Sequence, residues 1–204
     1  MDEALIDLVR DWKLESIVQD TCTVHSRHVS DPAAGLWRRQ VQERWQRKQE
    51  LGRGSFGVVW LEQCVSGPSQ GRLRAVKELR KTSSGPRADD SKELAAILKF
   101  SHERVGYSLN TLGLDILSHT DGQRQYQDCF VRSFGWFETD RSTFITMEYL
   151  PLGDLEHHLS KPLPENQACT ISQQILQGLA FMHENKFAHR DLKPSVRTSF
   201  RYSE

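Results

Sequence analysis

Apolar positions recur along the chain with two different periods, and each period predicts a different element. Leu5, Leu8, Val9 and Trp12 fall at i, i+3, i+4 and i+7, which predicts a helix within residues 1 to about 20. Residues 21–35 are mixed and turn-like, with Asp31-Pro32 and Gly35 as breakers. Trp37 to Glu50 is dense in Arg, Gln and Lys and reads as a solvated lead-in to the first strand, a docking surface for a partner being the alternative. The stretch 51–80 is β-rich. Val58-Val59-Trp60-Leu61 forms one strand, a turn follows at Ser66-Gly67-Pro68, and Arg72 to Leu79 forms the next. In that strand Leu73, Ala75, Lys77 and Leu79 share one face, so Lys77 projects among small and apolar neighbours.

A polar linker, Thr82 to Asp90, leads to an amphipathic helix over 91–100. Leu94, Ile97, Leu98 and the flanking Phe100 supply its apolar side, with Glu93 on the first turn. Strands are expected at Phe130-Val131, at Phe134 to Phe137 and at Phe144 to Met147. After a break at Pro151 and Gly153, a strong helix starts near Glu165, with Ala168, Ile171, Ile175, Leu179 and Met182 in one stripe.

Composition narrows the classes. The 204 residues allow one large or two small domains, at the usual ~100–200 residues each. Lys and Arg (27) balance Asp and Glu (27), so no global charge favours nucleic acid or an anionic membrane. No apolar run approaches the ~18 residues of a membrane span. The acidic start, Met1-Asp2-Glu3-Ala4, argues against a secretory signal. Cys22, Cys64, Cys129 and Cys169 are far apart and read as reduced thiols of a cytoplasmic or nuclear protein.

Gly52-x-Gly54-x-x-Gly57 is by itself a weak signal, shared with dinucleotide-binding loops and ordinary hairpins. Here the glycines run into a strand rather than a helix, which predicts a strand–loop–strand flap able to offer backbone N–H groups to phosphates. Ala75-Val76-Lys77 follows one strand later, then Glu93 on the next helix, then His189-Arg190-Asp191-Leu192-Lys193-Pro194 after the long helix. With these four features in order, the chain resembles the eukaryotic serine/threonine protein kinases over roughly residues 46–194. Its sequence style is similar to kinases of filamentous fungi.

The resemblance implies an α+β fold: an antiparallel β-rich N-lobe with one helix of the αC type, then the first helices of an incomplete helical C-lobe. The expected divisions are an N-terminal lead-in, helical or partly disordered (1–45), an N-lobe and hinge (46–150), the start of the C-lobe (151–194) and an aberrant tail (195–204). It also implies ATP and Mg²⁺ as cofactors and a protein Ser/Thr hydroxyl as acceptor. Gly52, Gly54 and Gly57, with Ser55 and Phe56 between them, would cover the ATP phosphates, and Leu51, Val59 and Ala75 would be apolar contacts above the adenine. Lys77 would hold the α/β-phosphates, fixed by an ion pair with Glu93. Met147 would back the pocket, and the backbone of Glu148 and Leu150 would read the adenine edge. Asp154 would approach the ribose or a basic substrate residue, its other reading being a helix N-terminal carboxylate. Asp191 would accept the hydroxyl proton and Lys193 would neutralise γ-phosphate charge. His189 reads as a structural loop residue, and Arg190 in this family often anchors a phosphorylated activation loop.

Two departures qualify the resemblance. The family places an Mg²⁺-binding Asn at position 196, where this chain has Val196, and the DFG segment expected after it is absent. Both protein ligands to Mg²⁺ are therefore missing, and no metal-ligating residue is expected. The chain reads as truncated and not catalytically competent alone. The second departure is Val105 to Gln125, which interrupts the short connection expected between Arg104 and Tyr126. One reading covers both breaks: translated introns, since Val105-Gly106 and Val196-Arg197 can be encoded with GT donor-like starts and Gln125 as CAG. The alternative is a genuine loop insertion and a genuine truncated isoform. Besides the kinase reading stand two others: a non-catalytic nucleotide-binding or interaction module (a truncated pseudokinase), and a gene-model product that does not fold.

Overall fold

The computed structural model describes residues 7, 9–31, 36–54, 57–81, 94, 96–97, 99–100, 126 and 129–194. Leu5, Leu8, Pro32, Gly35, the 82–90 linker, Ser55, Phe56, Glu93, Leu98, the 105–125 segment and the 195–204 tail, Val196 included, lie outside them. The chain divides into two compact units, one of residues 1–99 with 133–149, the other of 100–132 with 150–204.

The first unit is built on a seven-stranded antiparallel sheet: β1 (Glu15–Gln19), β2 (Cys22–Asp31), β3 (Leu36–Gly54), β4 (Gly57–Ser66), β5 (Leu73–Arg80), β6 (Ser133–Glu138) and β7 (Ser142–Glu148). Their order across the sheet is β1-β2-β3-β4-β5-β7-β6. The predicted strands at 58–61, 72–79 and 144–147 are β4, β5 and β7. Phe130-Val131, expected as strand, lies outside β6.

The N-terminal region corrects the sequence expectation. Helix is confined to Asp7 and Val9–Asp11 among the described residues, and the chain turns to strand from Glu15. The reason is a period-2 pattern hidden by polar inward positions. In β3, Glu43 and Trp45 are buried while Gln42, Arg44 and Gln46 are exposed. In β2, Thr23 and His25 are buried. Glu43 is satisfied in place: it accepts hydrogen bonds from Arg27 (3.1 Å), Ser69 (2.8 Å) and the Trp45 indole (3.3 Å). The run dense in Arg, Gln and Lys is therefore the solvated face of a strand.

β3 is long enough to pair with β2 through its first part and with β4 through its second, with register shifts at Arg44/Trp45, Arg47/Gln49 and Glu50/Gly52. Such bulges bend a strand and increase its twist. The far edge of the sheet is then covered by the chain's own start. Leu14 N donates to Trp136 O (2.7 Å) and Trp136 N to Trp12 O (3.1 Å), so the segment leading into β1 pairs with β6. The sheet thereby closes on itself and leaves no open edge along β6 at this point.

The two faces carry different cores. On one, Leu79, Leu94, Trp136 and Ile145 are buried together, with Val9, Trp12 and Ile97 packed against them. On the other, Val76, Phe137 and Phe144 pack with Leu14 and Val18, and the two phenylalanine rings stack at 4.8 Å. Val76 and Ile145 are fully enclosed, a burial that stabilises by about 1.5–3 kcal/mol for each such side chain. The second face also buries an ion pair. Arg74 donates twice to Glu62 (3.0 and 2.7 Å) and lies over the Trp45 ring (4.0 Å).

In the second unit, α1 spans Leu155–His158 and α2 spans Glu165–Glu184. The predicted stripe on α2 is its packed side: Ile171 and Met182 are buried, and Gly178 lets Cys129 approach. The helix ends in a Schellman motif, with Lys186 N to His183 O and Phe187 N to Met182 O; Lys186 (φ +64°) takes the left-handed position. Phe187 and Phe181 pack edge-on against Phe100, and Phe130 and Tyr126 stack on Phe100 and Phe181 respectively. Phe100, expected to flank the apolar side of the 91–100 helix, thus also joins this aromatic cluster.

Candidate nucleotide and phosphoryl-transfer site

In the first unit the sheet register lines up five of the candidate site residues. Gly52 is opposite Val59, Val59 opposite Lys77, and Lys77 opposite Ile145. Two residues along, Leu61 is opposite Ala75 and Ala75 opposite Met147. Directly opposed residues share a face, and so do residues two apart in a strand. Val59, Ala75, Lys77 and Met147 therefore stand on one face, the face that also carries Leu79 and Ile145. Ala75 is buried, while Lys77 and Met147 are half-buried.

The glycines occupy the hairpin between β3 and β4, with Gly54 opposite Gly57 across its tip. This is a strand–loop–strand arrangement, as the run into Val58-Val59 predicts. Gly52 and Gly54 are exposed, and a Cβ on either would meet no atom within 4 Å. Gly57 differs: its φ is +146° and a Cβ there would collide with the carbonyl oxygen of Glu78. Gly57 thus lets β4 lie close on β5, while Gly52 and Gly54 leave the space over β3 open. Leu51 precedes Gly52 at the register shift. Arg53 makes a double contact with Glu50 (3.1 and 2.6 Å), and the hydrogen bond and charge of Glu50 raise its pKa.

β7 ends at Glu148, which is opposite Arg74, and Leu150 begins the part of the chain assigned to the second unit. There Asp154 is the N-cap of α1, accepting from His157 N at 3.0 Å, which is the helix-terminal role weighed for it. Pro194 O accepts from Glu156 N (3.0 Å), so the start of α1 holds the end of the His189–Pro194 loop. Within that loop Arg190 has φ +60°, a left-handed conformation costly for a side chain of its size. Asp191 N turns back to His189 O (2.9 Å). The Lys193 ammonium is 2.8 Å from Asp191 Oδ2, both side chains about half exposed (51% and 55%). An exposed carboxylate beside an ammonium is a set able to accept a proton and to face a phosphoryl group.

Glu93, Ser55 and Phe56 lie outside the described residues, so their expected roles rest on the sequence. No three His, Cys, Asp or Glu side chains are grouped to hold a metal among the described residues. Two concavities of about 600 and 630 Å³, one against Arg39–Gln42 and the other between Arg47, Glu78 and Arg141, are lined by none of the candidate catalytic or nucleotide-binding residues. The expected strand Phe134 to Phe137 lies in β6, but sequence reasoning missed the contacts of its Gly135 and Trp136 with Val9, Trp12 and Leu14.

A family model for the protein kinase domain matches residues 122–195. The chain is 31% identical over 151 residues to mitogen-activated protein kinase kinase kinase 19 of Homo sapiens, covering 73% of this chain and 10% of that protein. It is 31% identical to mitogen-activated protein kinase kinase kinase 2 of Arabidopsis thaliana (74% and 20%) and 33% identical to mitogen-activated protein kinase kinase kinase A of Dictyostelium discoideum (74% and 14%). The chain thus spans a fifth or less of the length of these relatives. It belongs to the eukaryotic serine/threonine protein kinase family and carries part of the catalytic domain. No helix among the described residues is long and apolar enough to cross a membrane.

Proposed function

We propose that this chain binds ATP and contributes to γ-phosphoryl transfer onto a protein Ser/Thr hydroxyl. The observation that carries the reading is the row Gly52–Val59–Lys77, which sets a glycine hairpin and a lysine on adjacent strands of one face. In this reading the hairpin covers the phosphates with backbone N–H groups, and Lys77, paired with Glu93, binds the α/β-phosphates. Leu51, Val59 and Ala75 contact the adenine, Met147 backs the pocket, and the backbone of Glu148 and Leu150 reads the adenine edge. Asp191 accepts the hydroxyl proton as the oxygen attacks. Lys193 offsets charge on the phosphoryl group in transit. Mg²⁺ would travel with the nucleotide. Four free cysteines suit a cytoplasmic or nuclear setting.

The test is a thermal shift of the full chain with ATP, followed by phosphoryl transfer to a generic Ser/Thr substrate. An ATP-dependent rise in melting temperature that disappears in Lys77→Met supports nucleotide binding. Turnover abolished by Asp191→Asn supports the assigned base. A chain that melts cooperatively but ignores ATP at millimolar concentration refutes the reading, and ATP binding without turnover restricts it to the nucleotide-binding half.

A further inference from the structure

The segment before β1 is joined to the first unit at several independent points. Its backbone pairs with β6 through Trp12 and Leu14. The Trp136 indole donates to Val9 O at 2.6 Å. Lys13 reaches Glu138 (2.6 Å) and lies over the Trp136 ring (5.1 Å). Glu138 is shared with Lys81 (2.6 Å), so one carboxylate links this segment to the residue that follows β5. Gly135 has φ +112°, and a Cβ on it would stand 2.7 Å from Trp12 O and 3.1 Å from Leu14 Cδ2. The bulge between Ser133 and Gly135 is thus shaped to receive residues 12–14.

The segment presses upon a specific set of side chains. Val9 and Trp12 pack against the cluster of Leu79, Leu94, Trp136 and Ile145, together with Ile97. Leu94 and Ile97 are among the described helical residues 94, 96–97 and 99–100, which follow Glu93 in the sequence. Leu79 lies two residues beyond Lys77 on the same face of β5, and Ile145 is opposite Lys77 on β7. The helix residues therefore seat on the immediate neighbours of Lys77, and the early segment packs against that same seat.

We propose that Val9–Leu14 is a strap that holds the 94–100 helix against β5 and β7, making Trp12 a positioning residue for the Lys77–Glu93 pair. This rests on the phosphoryl-transfer reading above for the function of that pair. A helix with a short apolar contact is marginal without tertiary support. Here part of that support comes from a segment about 80 residues earlier in sequence, so anything that lifts the strap loosens the helix.

The test uses the full chain and two readouts. Amide exchange at 94–100 is measured against Val76 and Ile145 as internal references, and Lys77 acylation by an amine reagent is measured with and without ATP. Trp12→Ala should speed exchange at 94–100 by about tenfold with the references unchanged, and should raise Lys77 labelling. Trp12→Phe should restore most of both. Trp12→Ala and Glu93→Gln should be non-additive on Lys77 labelling. If Trp12→Ala fails to fold, Lys13→Gln, which releases the tether while keeping the apolar contact, should shift both readouts in the same direction. Unchanged exchange at 94–100, or additive labelling effects, overturns the strap. A wild-type chain that shows the coupling but gains no protection of Lys77 from ATP refutes nucleotide binding while the strap stands.

Discussion

Gly135 and Trp12 meet so closely that only a hydrogen atom fits between them, the Cβ of any other residue at 135 falling 2.7 Å from the Trp12 carbonyl oxygen. This contact joins the start of the chain to the edge strand of the sheet. The φ of +112° at Gly135 adds a second reason for glycine. Gly135→Ala should therefore destabilise the first unit by about 1–3 kcal/mol, the scale of a strained backbone position. Urea unfolding followed by Trp fluorescence should show a lower midpoint. An unchanged midpoint would mean that the pairing of residues 12–14 with β6 adds nothing to stability.

The Arg74–Glu62 pair is almost fully enclosed, with side chains 3% and 2% exposed. Burial lowers the Arg74 pKa, and the charge and hydrogen bonds of Glu62 oppose that. Removing one partner leaves a buried charge unmatched. Glu62→Leu should cost about 3–5 kcal/mol, whereas the double change Glu62→Leu with Arg74→Met should recover most of it. A double-mutant cycle of unfolding free energies checks this. Equal losses in the single and double variants would contradict it.

His25 lies inside the closed sheet, edge-on to Phe137 (5.1 Å), with Nδ1 2.6 Å from the Ser16 hydroxyl and Nε2 lacking a hydrogen-bond partner. Burial first, and the charge of Arg74 second, lower its pKa from 6.5 to about 3. Between those values the unfolded chain takes a proton that the folded one refuses. The neutral imidazole's contribution is complete above pH 6.5 and lost as pH falls towards 3, at up to about 1.4 kcal/mol per pH unit. The difference in unfolding free energy between wild type and His25→Gln should shrink as pH falls from 7 to 4. A pH-independent difference would exclude protonation of His25 as the cause.

How much the sequence revealed depended on how local each signal is. β4, β5, β7 and α2 could be read because their apolar periods are strong and uninterrupted, as in Ala168 to Met182. The candidate site could be read because its motifs are contiguous, and register then set Val59, Lys77 and Ala75 on one face. β1 to β3 could not be read as strands. Their inward positions include Thr23, His25 and Glu43, whose burial depends on partners such as Ser16, Ser69 and Arg27 supplied by other segments. Asp154 stayed divided between two roles because a cap and a ligand carboxylate look alike until the helix is seen. Trp12 with Gly135 was invisible, since nothing near either residue records the other.

The glycine hairpin offers a test that separates folding from ligand approach. Gly57→Ala places a Cβ against the Glu78 carbonyl at a φ of +146°, so it should lower the melting temperature by disturbing the β4–β5 pairing. Gly54→Ala meets no atom within 4 Å, so its effect on stability should stay within about 0.5 kcal/mol. If phosphates use the open space over this strand, Gly54→Ala should nevertheless weaken ATP binding, because the added methyl group stands where the backbone must be approached. Melting curves and ATP titrations on the two variants read the two effects apart. Gly54→Ala with wild-type melting and wild-type ATP affinity would show that the space above Gly54 is not where the phosphates lie. The same melting curve with weakened affinity would tie the exposed glycine to ligand contact rather than to folding.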